Sequence, residues 1–197
     1  MMTRSKLCIA STNPGKIVEL NSLLGPYFEI YSLSDFGTIP EPEEPYRNFL
    51  ENAIHKAKYY AQHVQMPTLS EDTGLEILSL NGFPGVFSKR VIEQQGGRLK
   101  AYHYLKELLD LKKDKRAQFR CVAVLYDPRT EAMFCGDGVM EGRIVFPPRG
   151  EYGFGYDSIF VPDGYEQSIA ELGESVKRKI GHRGKAIRSL LESYSKQ

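Results

Sequence analysis

Leu7-Cys8-Ile9-Ala10-Ser11-Thr12-Asn13-Pro14-Gly15-Lys16 decides the fold class. Four apolar residues read as a buried strand. Six polar or turn-forming residues then lead into a helical spacing over residues 17–24. Asn13 suits an N-cap, and Pro14 suits the first helical position, where its missing N–H is not needed. A helix start presents backbone N–H groups and the positive end of the dipole, which suits phosphate. Ser11 and Thr12 add hydroxyl donors, and Lys16 adds a charge. The stretch is a candidate anion cradle, with an ordinary capped junction and a solvated lysine as the competing reading. It is not a Walker A loop, because a single glycine precedes Lys16.

Outward from this junction, residues 28–33 read as a second strand. Residues 49–64 read as a helix with Phe49, Ala53, Ala57, Tyr60 and Ala61 near one face. Residues 67–70 and 75–80 read as two short strands, and 81–85 as a turn-rich loop. Residues 99–111 form a helical stripe through Tyr102, Leu105, Leu108 and Leu109. The period then falls to two at Phe119, Cys121, Ala123 and Leu125. A turn at 127–130 and strands at 132–135 and 139–146 make an antiparallel meander. A Gly/Pro-rich loop over 147–155 precedes a strand at 158–161, and the end is helical through Ile187, Leu190 and Leu191. Strands alternate with helices first and then cluster. The expected fold is α/β, a two-lobed single domain over residues 1–197. A mixed, twisted central sheet is flanked by helices, with a cleft between the lobes.

The chain has 197 residues, 41% hydrophobic and 26% charged, which is enough to bury a substantial core. A net charge of +1 gives no global attraction to nucleic acid or to an anionic membrane. The apolar run at 122–125 is too short to span a bilayer. No apolar segment follows Met1-Met2-Thr3-Arg4, which argues against a secretory signal. Cys8, Cys121 and Cys135 form no C-x-x-C pair, and free thiols in a reducing cytoplasm are the expectation.

Three constellations carry chemistry. The first is acidic: Glu41, Glu43, Glu44 and Glu51 lie close together, and Glu71-Asp72-Thr73-Gly74 follows a short strand. Two acidic groups at a strand end, with a glycine to turn the chain, suit a hard cation such as Mg²⁺. Turn formation by Asp-Thr-Gly is the alternative. The second is basic, from Lys177 to Arg188. Within it Gly181 and Gly184 flank His182 and Arg183, so the backbone can approach a ligand while both side chains donate. The third is Tyr152-Gly153-Phe154-Gly155-Tyr156-Asp157. Its aromatics either stack on a flat partner such as a purine or plug the core. A cradle, a metal site, a basic clamp and a stacking loop are together the parts of a nucleoside triphosphate hydrolase.

At these residues the chain resembles the inosine/xanthosine triphosphate pyrophosphatase family. The matches run nearly end to end. They include Ser11 to Lys16, Phe49-x-Glu51-Asn52-Ala53, Glu71-Asp72-Thr73-Gly74-Leu75 and Gly82-Phe83-Pro84-Gly85. Later come Gly153-Phe154-Gly155-Tyr156-Asp157, Ala170-Glu171-Leu172 with Lys177, and His182-Arg183-Gly184. The resemblance implies Mg²⁺-dependent hydrolysis of ITP, dITP and XTP to the monophosphate and pyrophosphate by a cytoplasmic homodimer. It implies that Ser11, Thr12, Asn13, Pro14, Gly15 and Lys16 hold the triphosphate, with Thr73 beside them and Lys56, Lys89 and Lys177 adding cationic contacts. Glu44 and Asp72 would hold the metal, and Asp72 would activate the water. Phe154 would stack on the base, within the Gly155-Tyr156 loop, with Asp157, His182 and Arg183 around the purine edge.

The chain departs from the family pattern at four places. Gly181 stands where a serine is usual, Ser158 where a proline is common, and Glu71 where an aspartate is common. Lys89 occurs in only part of the family. A pyrophosphatase for modified pyrimidine or canonical triphosphates, a nucleotide sensor and an RNA-binding module are the rival readings. A sensor would not need the water-activating carboxylate, and an RNA module would carry more positive charge.

Overall fold

The computed structural model describes residues 4–196. Residues 1–3, part of the segment read for a signal, and residue 197 lie outside the described residues. Among those described, strands β1 (Ser5–Ile9), β2 (Phe28–Ser32), β3 (Thr68–Ile77), β4 (Arg116–Tyr126), β5 (Met133–Ile144) and β6 (Phe160–Pro162) form one sheet. Their order is β2-β1-β3-β4-β5-β6. β1 runs parallel to β2 and to β3, and β5 runs antiparallel to β6, so the sheet is mixed as expected. The helices are α1 (Pro14–Leu24), α2 (Phe49–Val64), α3 (Ser88–Gln94), α4 (Arg98–Leu109), α5 (Ile169–Ile180) and α6 (His182–Tyr194). No helix among the described residues is long and apolar enough to cross a membrane.

The chain packs into two compact units. The first comprises Met1–Asp72, Cys121–Gly138 and Arg183–Gln197. Its β1 is apolar along Leu7, Cys8 and Ile9 because both faces are covered, as parallel strands require. Leu7 and Ile9 join a core with Leu20, Leu69, Ala123 and Leu190. Cys8 and Ala10, one residue out of phase, join another with Leu33, Tyr60 and Val64. Gly136 of β5 lets α6 come close: a Cβ there would stand 2.1 Å from the Ala186 carbonyl oxygen and 2.5 Å from Leu190 N.

The second unit comprises Thr73–Arg120 and Val139–His182. Leu75 and Ile77 of β3 pack with Tyr102, Leu105 and Leu109 of α4, with Phe119, and with Phe160. The helical stripe on α4 is the one read from the sequence, although Leu108 stays on the surface and the helix stops at Leu109.

Several local readings are corrected. Residues 67–80 do not form two strands around a turn, because β3 runs unbroken through Glu71-Asp72-Thr73-Gly74. β3 lies between β1 and β4 in the sheet, with the β1 register at Thr68 and Leu69, and this sheet context outweighs the local turn preference of Asp-Thr-Gly. Gly74 serves close approach rather than turning, since a Cβ there would stand 2.1 Å from the Gly85 carbonyl oxygen. Likewise β5 is one strand where two were expected, carried through Gly136-Asp137-Gly138. The helix α3 and the α5 kink at Gly173, whose φ is 78°, have no counterpart in the sequence reading.

Candidate active site

In the first unit the site is built around consecutive residues of β3. Successive strand side chains point to opposite faces, so Glu71 and Asp72 enter different surroundings. Asp72 meets α2. Asn52 and Lys56 are four residues apart there and share a helix face. Asn52 Nδ2 donates to Asp72 Oδ2 at 3.1 Å, and Lys56 Nζ lies 3.4 Å from Asp72 Oδ1 and 2.5 Å from Glu44 Oε1. Asn52 also grips the loop that carries Glu44: its Oδ1 accepts from Tyr46 N at 3.1 Å and its Nδ2 donates to Tyr46 O at 3.2 Å. Burial pushes the Asp72 carboxyl above its ordinary pKa, and the neighbouring Glu44 adds to the rise against the pull of Lys56. For Lys56, burial alone lowers the pKa, but Asp72 and Glu44 outweigh it and the ammonium is held.

Glu71 faces a cationic nest. Arg183 Nε and Nη2 donate to its two oxygens at 2.6 and 2.9 Å, and Lys16 Nζ lies 3.0 Å from Oε1. The remaining arm of Arg183, Nη1, donates to Glu19. Cys121 Sγ donates to Glu71 Oε2 at 3.3 Å. Burial alone raises the Glu71 pKa, but Arg183 and Lys16 drive it well below the usual carboxylate range.

The junction at residues 11–16 is capped as read. Asn13 Oδ1 accepts from Gly15 N at 3.0 Å and Lys16 N at 3.3 Å, and Ser11 Oγ accepts from Asn13 N at 3.2 Å. Thr12, Asn13, Pro14 and Gly15 are exposed. Thr73 follows Asp72 on β3 and is half-buried.

In the second unit the glycine-aromatic loop forms a compact knot. Asp157 Oδ2 accepts from Phe154 N at 2.9 Å and from Lys177 Nζ at 2.6 Å. Lys177 Nζ sits 4.4 Å from the Phe154 ring centroid. Gly155 O accepts from Tyr102 OH at 2.6 Å. Phe154 remains half-buried, whereas Tyr156 is a core residue whose OH donates to Ser88 O at 2.9 Å. Of the two aromatic readings, plugging the core holds for the Tyr156 side chain. His182 is buried with its ring stacked on Phe119, centroids 5.0 Å apart and planes 14° from parallel. Lys89 is exposed on α3.

The first unit thus gathers Lys16, Glu44, Lys56 and Asp72, and the second gathers Phe154, Asp157 and Lys177. Arg183, which the resemblance sets at the purine edge, gives its guanidinium to Glu71 and Glu19 and is 1% exposed. Sequence reasoning assigned no role to Asn52 or Glu19. Both are polar side chains in line with the buried stripe of their helices, and that position was the signal for them. Glu44 and Asp72 present hard oxygen donors around one cation. No group of three or more His, Cys, Asp or Glu able to hold a metal occurs among the described residues. The pair fits an open Mg²⁺ site, since that ion takes one or two carboxylates and completes its shell with water and phosphate.

Comparison with known proteins places the chain in a family. The sequence model of the Ham1 family matches residues 7–193. A dITP/XTP pyrophosphatase from Thermus thermophilus is 39% identical over 196 residues, covering 98% of this chain and 94% of that protein. One from Bacillus subtilis is 39% identical over 193 residues, covering 96% and 97%. The solved structure of a HAM1 protein from Coxiella burnetii superimposes with a TM-score of 0.89 at 34% identity, covering 98% of this chain and 100% of that one. With the match spanning almost every element described above, the chain belongs to the Ham1 family.

Proposed function

We propose that this protein is a nucleoside-triphosphate pyrophosphatase that hydrolyses ITP, dITP and XTP to the monophosphate and pyrophosphate. The observation that carries the reading is the Asp72 carboxylate. It is buried, aimed by Asn52, and flanked by a second carboxylate and an ammonium. The dITP/XTP pyrophosphatases to which the chain is similar support the choice of substrate.

In this mechanism Asp72 orients a water molecule and takes its proton as the oxygen attacks the α-phosphorus. The bond from that phosphorus to the bridging oxygen breaks, and its electron pair leaves with pyrophosphate. A raised pKa makes Asp72 a better proton acceptor than an ordinary carboxylate. Glu44 and Asp72 would hold Mg²⁺, which supplies charge neutralisation at the phosphates. Lys16, Lys56 and Lys177 screen the remaining charge, with Ser11 to Gly15 lining the phosphates. Lys89 is a further contact. Phe154 is the stacking surface for the base, and Asp157 holds Phe154 and Lys177 in place. His182 is assigned to the purine edge, where a donor meets the 6-keto oxygen but opposes the 6-amino group of adenine. Arg183 is assigned to fixing Glu71 beside Asp72. The functional form is a homodimer.

Pyrophosphate release from dITP, XTP, ATP, GTP and dUTP, with and without Mg²⁺, tests the reading. Release is expected from dITP and XTP with the metal present. In ¹⁸O-labelled water the label is expected in the monophosphate. Label in pyrophosphate would overturn attack at the α-phosphorus.

A further inference from the structure

We propose that Lys56 is the resident counter-cation of the Glu44–Asp72 pair, and that it makes divalent-metal binding conditional on nucleotide. The proposal rests on the reading of that pair as the metal site.

Lys56 Nζ lies against both carboxylates at 2.5 and 3.4 Å, and the lysine is 9% exposed. Two partly or fully buried carboxylates left without a cation are costly, so a positive charge must stand there whether or not a metal has arrived. In the structure that charge belongs to the protein itself. A metal ion bound to the same oxygens would face the ammonium at short range, where like charges repel. Metal entry therefore requires the ammonium to withdraw.

Withdrawal is chemically simple, because a lysine carries a compact charge on a flexible four-carbon stem. It is also costly while no new partner is available, since Lys56 is buried on α2. The phosphate oxygens of a bound nucleotide are such a partner. Nucleotide then draws Lys56 off the carboxylates and the metal takes its place. Metal likewise releases Lys56 for the nucleotide, because linkage between two ligands is reciprocal. Asn52 keeps Asp72 aimed throughout, since its hydrogen bonds to Asp72 and to the Tyr46 backbone do not involve Lys56.

Binding of Mn²⁺ to the full chain tests this. It is followed by electron paramagnetic resonance, with and without the non-hydrolysable α,β-methylene analogue of dITP. The wild type is expected to bind Mn²⁺ at least tenfold more tightly when the analogue is present. Lys56→Met is expected to bind Mn²⁺ alone at least tenfold more tightly than the wild type, and to lose most of the coupling. Equal affinity of the two proteins for Mn²⁺ alone, with binding abolished in Asp72→Asn, overturns the counter-cation role and leaves the metal site standing. Mn²⁺ binding unaffected by Asp72→Asn overturns the metal site and the proposal with it. Should Lys56→Met be unstable without metal, thermal unfolding supplies the readout. Mn²⁺ is expected to raise its midpoint more than that of the wild type, and equal shifts overturn the proposal.

Discussion

Glu71 and Asp72 are joined by one peptide bond, yet their carboxyl groups are driven in opposite directions. Alternation along β3 is the cause: one side chain meets two cations and the other meets a carboxylate and a single ammonium. Lys16 was legible as a lysine after a capping turn and Asp72 as a carboxylate beside a short strand, whereas Glu44 was singled out only by the family resemblance. Asn52 was not legible, because its role depends on which face of α2 meets β3. Asn52→Ala is expected to lower kcat about tenfold or more with little change in KM, as an interaction with Asp72, the proposed base, rather than with substrate is removed. Steady-state kinetics on dITP checks this. A rise in KM alone would place Asn52 in substrate binding instead.

At the scale of elements, helices with a clear apolar stripe were read closely: α2 was expected over residues 49–64 and runs Phe49–Val64. Strands were read too short wherever glycine or a turn-forming pair lay inside them, as in β3 and β5. Ladder pairing with neighbours far along the chain decides such stretches, and a single sequence does not display it. Glycines inside strands instead mark where another backbone comes near. Gly136→Ala would drive a Cβ into the Ala186 carbonyl and Leu190 N, both backbone atoms of α6. It is expected to cost about 1–3 kcal/mol or more through overpacking, read as a lower denaturant midpoint. Unchanged stability would show that α6 is free to shift on β5.

For the molecule as a whole, acid is the expected weakness. Folding holds the Glu71 carboxyl well below its ordinary value of 4.5. Its stabilisation is therefore complete above about pH 4.5 and is lost as pH falls through the folded value. Asp72, with its pKa raised, works the other way: it binds a proton more readily folded than unfolded, and so offsets part of the loss. Glu71 dominates because it is bound to two cations, and its partner Arg183 is almost wholly buried. The thermal midpoint is expected to fall between about pH 5 and about pH 3, and Glu71→Gln is expected to flatten that limb at a lower overall stability. Circular dichroism melts across this range check it. Two compact units and a mixed sheet were legible from the order of strands and helices. The buried link of Arg183 to Glu19 and Glu71 was not, because it joins residues 164 and 112 positions apart.

The knot of Phe154, Asp157 and Lys177 constrains how the protein can change over generations. Asp157 is 3% exposed and Lys177 is 5% exposed, and one carboxylate oxygen holds both the lysine and the backbone of the aromatic residue. Losing Asp157 alone strands a buried ammonium beside the ring, and losing Lys177 alone strands a buried carboxylate. For folding stability, replacing both with apolar residues of similar volume is expected to be milder than either single loss. Drift at these two sites must therefore cross a fitness valley. A lineage that uses Lys177 at the phosphates keeps the pair together, and the orientation of the aromatic ring is inherited along with it.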